Sequence, residues 1–364
     1  MIERIELRRL NLELIQPYKV SYATFSAFHP LVAIITDKNG RTGFGEAEIS
    51  PGYSHETPDG GWRLICDLAE QVIGRSVDNA LCMIQPCIAT EPTATSVLYA
   101  ALEMLRGHDL LNPPCDAEIP LLQPVNSFNL EAIPEEVETI LANGFRTLKV
   151  KVGFEVSDDL ARLHAIQDAV AGRATLRIDA NNAYSAEQGR TFATSLDPSG
   201  IELFEQPCGV DDWAGHEAVA AVSRVPVMID ESIYGLHEID RAAAIDGVGF
   251  VKLKLKKLGG MDLLVEGLER IRDNGMEPVL GDGTATEIGC WQEACVARTM
   301  IRNAGEMNGF LKFRDKLFAD PLVFENGAIQ LKQGMRPTLD KDVIERVTEA
   351  KKEVLAGRRV NAAE

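Results

Sequence analysis

The stretch Thr147-Leu148-Lys149-Val150-Lys151-Val152-Gly153 decides how this chain is read. It is apolar and β-branched between its lysines and stops at a glycine, the pattern of a buried strand. Side chains alternate along a strand, so Lys149 and Lys151 share one face. Two ammonium groups on a buried face repel each other and resist desolvation. They persist there only opposite anions, or with one of them neutral. Desolvation and like charge both lower a lysine pKa, which would supply a neutral amine as a base near neutral pH. The alternative is an edge strand with both lysines in water. The rest of the chain separates the two.

Working outward, a boundary stands at Pro113-Pro114, and strand and helix patterns alternate after it. Apolar strands read at 120–125, 146–152, 174–179, 201–205, 226–230, 248–255, 276–281 and 306–310. Amphipathic helices read between them, as at Asp158–Ala171, Ala186–Ser195 and Met261–Asn274. The pattern predicts an α/β fold, a (β/α)₈-type TIM barrel over 113–314 with one helix short or absent. A doubly wound open sheet is the alternative. No G-x-G-x-x-G follows the first strand, so no dinucleotide site is indicated.

Before the boundary, residues 1–50 alternate like antiparallel strands, and helices read over about 60–75 and 94–107. This predicts an α+β module at 1–112. Two of its loops hold candidate substrate contacts: Tyr18, Lys19 and Tyr22 in one, His55 in the other. After the barrel, residues 315–364 leave the period. Leu322–Leu331 reads as a hairpin around Asn326-Gly327 and is expected to return to the first module. The basic tail from Lys351 is expected to fray.

Chemistry in such a barrel sits at the C-terminal ends of the strands. The third strand ends Ile178-Asp179-Ala180-Asn181, the fourth Phe204-Glu205-Gln206, and the fifth Ile229-Asp230-Glu231-Ser232. Asp179 and Glu205 are 26 apart, and Glu205 and Asp230 are 25 apart, one βα unit each. Neighbouring strands lie about 4.8 Å apart, so the three carboxylates converge. One such acid alone would read as a helix N-cap. Three in register need a cation, and three oxygen ligands with room for water and substrate suit Mg²⁺, with Mn²⁺ as the substitute. Asn181 and Asn182 would cap or line the site, and Glu231 and Ser232 would cap the next helix. The sixth strand, Phe250-Val251-Lys252-Leu253-Lys254-Leu255, brings a second lysine pair across the ring from the first. A carboxylate held by the metal would have its α-carbon between amines. The metal would stabilise the enediolate, and a lysine from either side could take or return the α-proton.

A net charge of −18 opposes nucleic acid and anionic membranes as partners. No run approaches the ~20 apolar residues of a membrane span, and no charged-then-apolar leader precedes Ile2. The seven cysteines form no C-x-x-C pair and are read as buried free thiols of a cytoplasmic protein. A symmetric homo-oligomer is expected on general grounds.

Taken together, T-L-K-V-K at 147–151, D-A-N-N at 179–182, E-Q-P at 205–207, D-E-S at 230–232, K-x-x-x-x-G-G at 254–260 and G-F-G-E-A at 43–47 resemble the enolase superfamily, in its muconate-lactonizing subgroup. The resemblance covers nearly the whole chain. It implies that Asp179, Glu205 and Asp230 bind Mg²⁺, that Lys151 and Lys254 are acid/bases on opposite faces, and that Lys149 tunes its neighbour. It also implies that loops near 18–25 and 51–57 cover the barrel mouth. The chain departs from the family at the seventh strand, where Ala285 takes an acidic position. Asp282 and Glu287 are the candidates to compensate, and Asp282 and Thr284 are candidate substrate contacts. Lys252 is the second departure, read as a salt-bridge partner of a metal ligand.

The expected function is Mg²⁺-dependent removal of the α-proton of a small carboxylate substrate. Racemisation or epimerisation of an amino-acid derivative ranks first, since lysines on both faces permit a two-base transfer. Muconate-type cycloisomerisation ranks second, and β-elimination, as in dehydration or succinylbenzoate synthesis, third. From other classes, the alternatives are a catalytically retired ligand-binding barrel and a metal-dependent aldolase or hydrolase.

Overall fold

The structure, a computed structural model, describes residues 1–20, 23–50 and 54–357. The first module contributes β1 (Ile2–Leu10), β2 (Leu12–Val20), β3 (Ala23–Phe28), β4 (Leu31–Asp37) and β5 (Thr42–Ala47), then α1 (Pro58–Val72), α2 (Val77–Ile84) and α3 (Pro92–Arg106). A parallel region follows: β6 (Ala117–Pro120), β7 (Gln123–Val125), α4 (Ile133–Ala142), β8 (Thr147–Lys151), α5 (Val156–Val170), β9 (Thr175–Asp179), α6 (Ala186–Ser195), β10 (Ile201–Glu205), α7 (Trp213–Ala220), β11 (Val227–Ile229), α8 (Leu236–Ala243), β12 (Val248–Leu253), α9 (Leu255–Leu258), α10 (Met261–Asp273), β13 (Glu277–Leu280) and α11 (Glu287–Met300). The chain ends in β14 (Phe324–Glu325), β15 (Ala328–Leu331), α12 (Lys341–Val347) and β16 (Thr348–Leu355).

Strands β7 to β13 form one seven-stranded sheet in unbroken sequence order, with parallel neighbours throughout. A doubly wound sheet reverses its order at a switch point, and this one does not. The sheet is covered on its outer face by helices, so its strands are apolar there: Leu148, Val150, Ile178 and Phe204 are all fully buried. The segment expected to be an eighth strand at 306–310 is not one; Gly309–Leu311 is a short 3₁₀ turn. Pairing falls earlier and is brief. Gly305 N donates to Pro120 O and its carbonyl accepts from Leu122 N, while Glu306 N donates to Leu280 O of β13, each at 2.9 Å.

In the first module, β16, β1, β4 and β5 form an antiparallel sheet with α1, α2 and α3 against one face. The glycines of β5 make that packing close. A Cβ on Gly43 would meet Ala101 O at 2.2 Å, and one on Gly45 would meet Val97 O at 2.6 Å, so α3 lies directly on the strand. Between them Phe44 faces the other way, its ring 6.3 Å from that of Trp291 on α11. Glu46 accepts from Thr286 N at 2.6 Å and Gly289 N at 2.9 Å, tying β5 to the turn before α11.

Four local expectations need correction. Residues 17–20 are not a loop: β2 runs through Pro17 to Val20 and pairs with β3 as a two-stranded ribbon, where a proline removes no shared ladder bond. The β14–β15 hairpin does not join the first module's sheet but pairs with β6. The tail does not fray at Lys351; Lys351–Leu355 belong to β16, which pairs along β1. The cysteines are all free, as expected, yet Cys82 and Cys115 are exposed rather than buried.

Candidate active site

Register along the parallel sheet brings the acids together. Glu205 at the end of β10 is paired directly with Asp179 at the end of β9, and Asp230 follows one residue after β11. All three are buried. Facing them from β8 and β12 are the lysines. Lys149 Nζ lies 2.9 Å from Asp179, 2.8 Å from Glu205 and 2.9 Å from Glu306. Lys151 Nζ donates to Asp179 Oδ2 and Asn181 Oδ1, both at 2.6 Å. Lys254 Nζ donates to Asp230 Oδ2 at 3.0 Å. Lys252 forms the ion pairs expected of it, at 3.0 Å to Glu205 and 3.3 Å to Asp230, and a short contact to Glu306.

One cavity of about 80 Å³ is lined by these lysines, Asn181, Asp230 and Glu231, with Tyr18, Phe25 and Phe28 from the β2–β3 ribbon over it. The 285 position is a small buried alanine, and the acid that enters is Glu306, from the segment after α11. Glu287 is turned away: it accepts from the backbone of Leu317, Phe318 and Leu322. Asp282 does line the cavity. It pairs with Lys256 at 2.7 Å and accepts from Thr284 Oγ1 at 2.7 Å, and Thr284 lines the cavity beside it.

Glu231 and Ser232 do not cap a helix. The next helix, α8, starts only at Leu236, and Gly235 is its cap. Glu231 Oε1 accepts from Asn181 Nδ2 at 3.0 Å, and Ser232 Oγ accepts from Gln206 Nε2 at 2.7 Å. His55 is exposed, with Nε2 2.7 Å from Thr90 O, and it does not line the cavity. Lys19 is placed by its backbone in β2, while Tyr22, with Pro51–Tyr53 of the second loop, lies outside the described residues.

Of the two ways open to buried lysines, anions opposite them or a lost proton, the structure takes the first. Burial alone would lower Lys149, but Asp179, Glu205 and Glu306 outweigh it and the ammonium is raised. Burial is likewise overcome at Lys151 by Asp179, and at Lys254 by Asp230, so both are raised. The carboxylates answer in kind. Despite burial, Lys149 and Lys151 bring Asp179 down to about 2, and Lys252 with Lys254 holds Asp230 well below its ordinary value. The strand sequence shows the lysines as neighbours but not the anions that other strands bring to them.

Two buried carboxylates stand out from this pairing. Burial and then repulsion from Asp230 and Asp179 push Glu231 up to about 7, and Glu205 is raised by burial and by Asp179. Glu231 Oε2 has no hydrogen-bond partner, and Glu205 Oε2 receives no directed hydrogen bond although Lys149 is close. Oxygens of Glu205, Asp230 and Glu231 lie within 4.8 Å of one another, a spacing that fits a cation held by oxygen ligands. Asp179 stands beside that group and is engaged by Lys149 and Lys151. The donor set is all carboxylate, so it suits a hard divalent ion such as Mg²⁺.

Comparison with known proteins bears on this arrangement. The family model described as "Enolase C-terminal domain-like" matches residues 132–337, more than half of the chain. The chain is 28% identical over 315 residues to the L-Ala-D/L-Glu epimerase of Bacillus subtilis (strain 168), covering 79% of this chain and 82% of that one. Its fold superposes on the N-succinyl Arg/Lys racemase from Bacillus cereus ATCC 14579 with a TM-score of 0.89 at 23% identity, covering 97% of this chain and 99% of that one. It also superposes on a dipeptide epimerase from Cytophaga hutchinsonii complexed with Mg and the dipeptide D-Ala-L-Val, with a TM-score of 0.88 at 23% identity over 97% of this chain and 99% of that one. The family match, the strand-end acids and the facing lysines agree: this chain belongs to the enolase superfamily, in its mandelate racemase/muconate lactonizing enzyme-like branch.

Proposed function

We propose that the protein is a Mg²⁺-dependent racemase or epimerase of a small amino-acid derivative, acting by α-proton transfer. The observation that carries this is the lining of one cavity by Lys151, which ends β8, and Lys254, the residue after β12, on either side of the acid cluster. The sequence likeness to an epimerase supports the same reading.

In this reading Glu205, Asp230 and Glu231, with Asp179 beside them, hold the metal. The bound ion, Mg²⁺ or Mn²⁺ in its place, supplies positive charge to the substrate carboxylate and takes up anionic charge that otherwise keeps the lysines protonated. Lys151 removes or returns the α-proton on one face and Lys254 does so on the other. Asn181 orients Lys151 through its Oδ1 and Glu231 through its Nδ2. Lys149 and Lys252, tied to Glu306, hold positive charge where the substrate's own charge develops. The aromatic roof of Tyr18, Phe25 and Phe28 excludes water from the reacting carbon.

The supporting architecture is read as a barrel at 113–314, closed by the short pairing of Gly305 and Glu306, with a cap at 1–112 to which the C-terminal segment returns through β16, while its β14–β15 hairpin stays with β6. Seven unpaired cysteines support a reducing, cytoplasmic setting. No helix among the described residues is long and apolar enough to cross a membrane.

The test is proton NMR in D₂O with Mg²⁺, run across N-acyl amino acids, dipeptides, hydroxy acids and muconates. Loss of an α-proton signal together with falling optical rotation is the expected result for a nitrogen-bearing substrate. Formation of a deuterium-bearing lactone from a muconate, with no exchange in the other compounds, would move the function to cycloisomerisation. No exchange and no Mg²⁺ binding by calorimetry would remove the enzymatic reading.

A further inference from the structure

The reaction cavity of about 80 Å³ has room for only a handful of water-sized groups. A second cavity, of about 1020 Å³, shares Lys151 and Asn181 with it and runs outward over the loops that follow β7 and β8. Its walls carry Phe128, Leu130 and Phe154, which are 51%, 47% and 41% exposed. These are three of the eight large hydrophobic side chains left exposed among the described residues, and they are gathered in one cavity beside the proposed base.

The wall is built rather than incidental. Phe128 and Phe154 meet edge to face with centroids 5.2 Å apart, and the Arg162 guanidinium stacks 4.6 Å from the Phe128 ring centre. The charges behind the rings are already committed. Arg162 donates to the carbonyls of Val125, Ser127 and Lys151. Asp159 accepts from Gly153 N, Phe154 N and the Tyr184 hydroxyl. Apart from the exposed Asp158, which also lines the cavity, such walls offer an incoming group little unpaired charge and two aromatic faces. At the junction, the Lys151 ammonium and the Asn181 amide are the polar groups both cavities share.

We infer that this annex is a substrate subsite for a large apolar, preferably aromatic, group attached to the reacting α-carbon, seated against Phe128 and Phe154. The inference rests on the proposed α-proton transfer, which fixes the α-carbon beside Lys151. The ring can come from the acyl group on the α-nitrogen or from the amino-acid side chain; its chemistry is the same.

The experiment measures α-proton exchange in D₂O with Mg²⁺ for N-acetylalanine, N-phenylacetylalanine and N-acetylphenylalanine, in the native protein and in Phe128→Ala and Phe154→Ala. Both rings are about half in water, and Phe154→Leu provides a milder second variant. A ring-bearing compound is expected to exceed N-acetylalanine at least tenfold in kcat/KM, with that preference lost in the variants through KM. Preference for the phenylacetyl compound assigns the ring to the nitrogen side, and preference for the phenylalanine compound assigns it to the side chain. Exchange of all three without ring preference, or an equal fall of kcat on all three in the variants, overturns the subsite alone. So does a change of oligomeric state by light scattering with the preference intact, which would make the patch a contact between copies. Absence of exchange with every compound overturns the proposed reaction and the subsite with it.

Discussion

The two lysine-bearing strands look alike in sequence, K-x-K in each, yet they build different halves of the site. On β8, Lys151 keeps 14% of its side chain exposed, meets Asp179 and Asn181, and opens onto the large annex. Just past the end of β12, Lys254 is 8% exposed and stands in a closed row with Lys252, Lys256 and Lys257 around Asp230 and Asp282. One side is a mouth and the other a wall. A two-base reaction needs a proton acceptor on each face of the planar enediolate, while the other substituents leave along its edges. The large adjoining cavity lies on the Lys151 side, where the proposed subsite would take one of them.

The largest expected effects come from removing either base. Lys151→Ala and Lys254→Ala should each lower epimerisation on the order of 10³-fold while Mg²⁺ binding persists. Each variant should still exchange the α-proton of the enantiomer whose hydrogen faces the remaining lysine. Proton NMR in D₂O on separated enantiomers reads this, and full turnover in either variant would end the two-base model. Next in size is the carboxylate that joins the halves. Glu306 touches Lys149 of β8 and Lys252 of β12, all three nearly without solvent. Glu306→Ala leaves two buried ammonium groups short of an anion and should cost about 3 kcal/mol of stability, read by urea denaturation. A loss below 1 kcal/mol would mean that the strand-end acids alone hold these lysines.

Metal affinity sharpens the comparison further. Asp230 and Glu231 belong to the tight oxygen cluster with Glu205, whereas Asp179 is drawn to the β8 lysines. Asp230→Asn should weaken Mg²⁺ binding on the order of 100-fold and Glu231→Gln on the order of tenfold. Titration calorimetry decides it; a Glu231→Gln protein with native affinity would return the site to the strand-end acids alone.

What the sequence displayed and what it hid follow from how regular each part is. The strands from β8 to β13 were legible because helices cover their outer face, which forces continuous apolar runs between turns. Asp179, Glu205 and Asp230 were legible because a parallel βα repeat returns each strand end at nearly constant spacing. Glu306 was hidden because its segment reads as an eighth strand over 306–310, which puts this acid at a strand's start and not among the C-terminal ends, whereas the segment in fact pairs through only a few backbone bonds. Glu231 was misread because an acid after a strand resembles a helix cap, and only the later start of α8 at Leu236 shows otherwise. The charge of the lysines was hidden for a different reason. Their neighbours in sequence are cations and aliphatics, while the carboxylates that decide their charge arrive from β9, β10 and the 306 segment.

The smallest effect concerns how the two acid ends are held. Asp179 sits in its own turn, with Oδ1 accepting from Asn181 N at 2.8 Å. Asp230 is held by a buried neutral network instead: its N–H donates to Gln206 Oε1 at 3.0 Å, and Gln206 Nε2 donates to Ser232 Oγ at 2.7 Å. His216 closes that network, its Nε2 3.2 Å from Ser232 Oγ, and burial holds its pKa down to about 4. An unfolded histidine titrates near 6.5, so as pH falls the unfolded chain takes up this proton first. The stability contributed by neutral His216 is therefore complete above about pH 6.5 and is lost as pH falls toward 4. Between pH 7.5 and 5 the loss should reach at most about 2 kcal/mol. In His216→Gln, which keeps a polar group beside Ser232 without a titrating ring, the pH dependence over that interval should be shallower by the same amount. Urea midpoints of the two proteins at both pH values measure it. Equal slopes would mean that the β11 end, like the β9 end, owes its position to local backbone geometry and not to a histidine kept neutral.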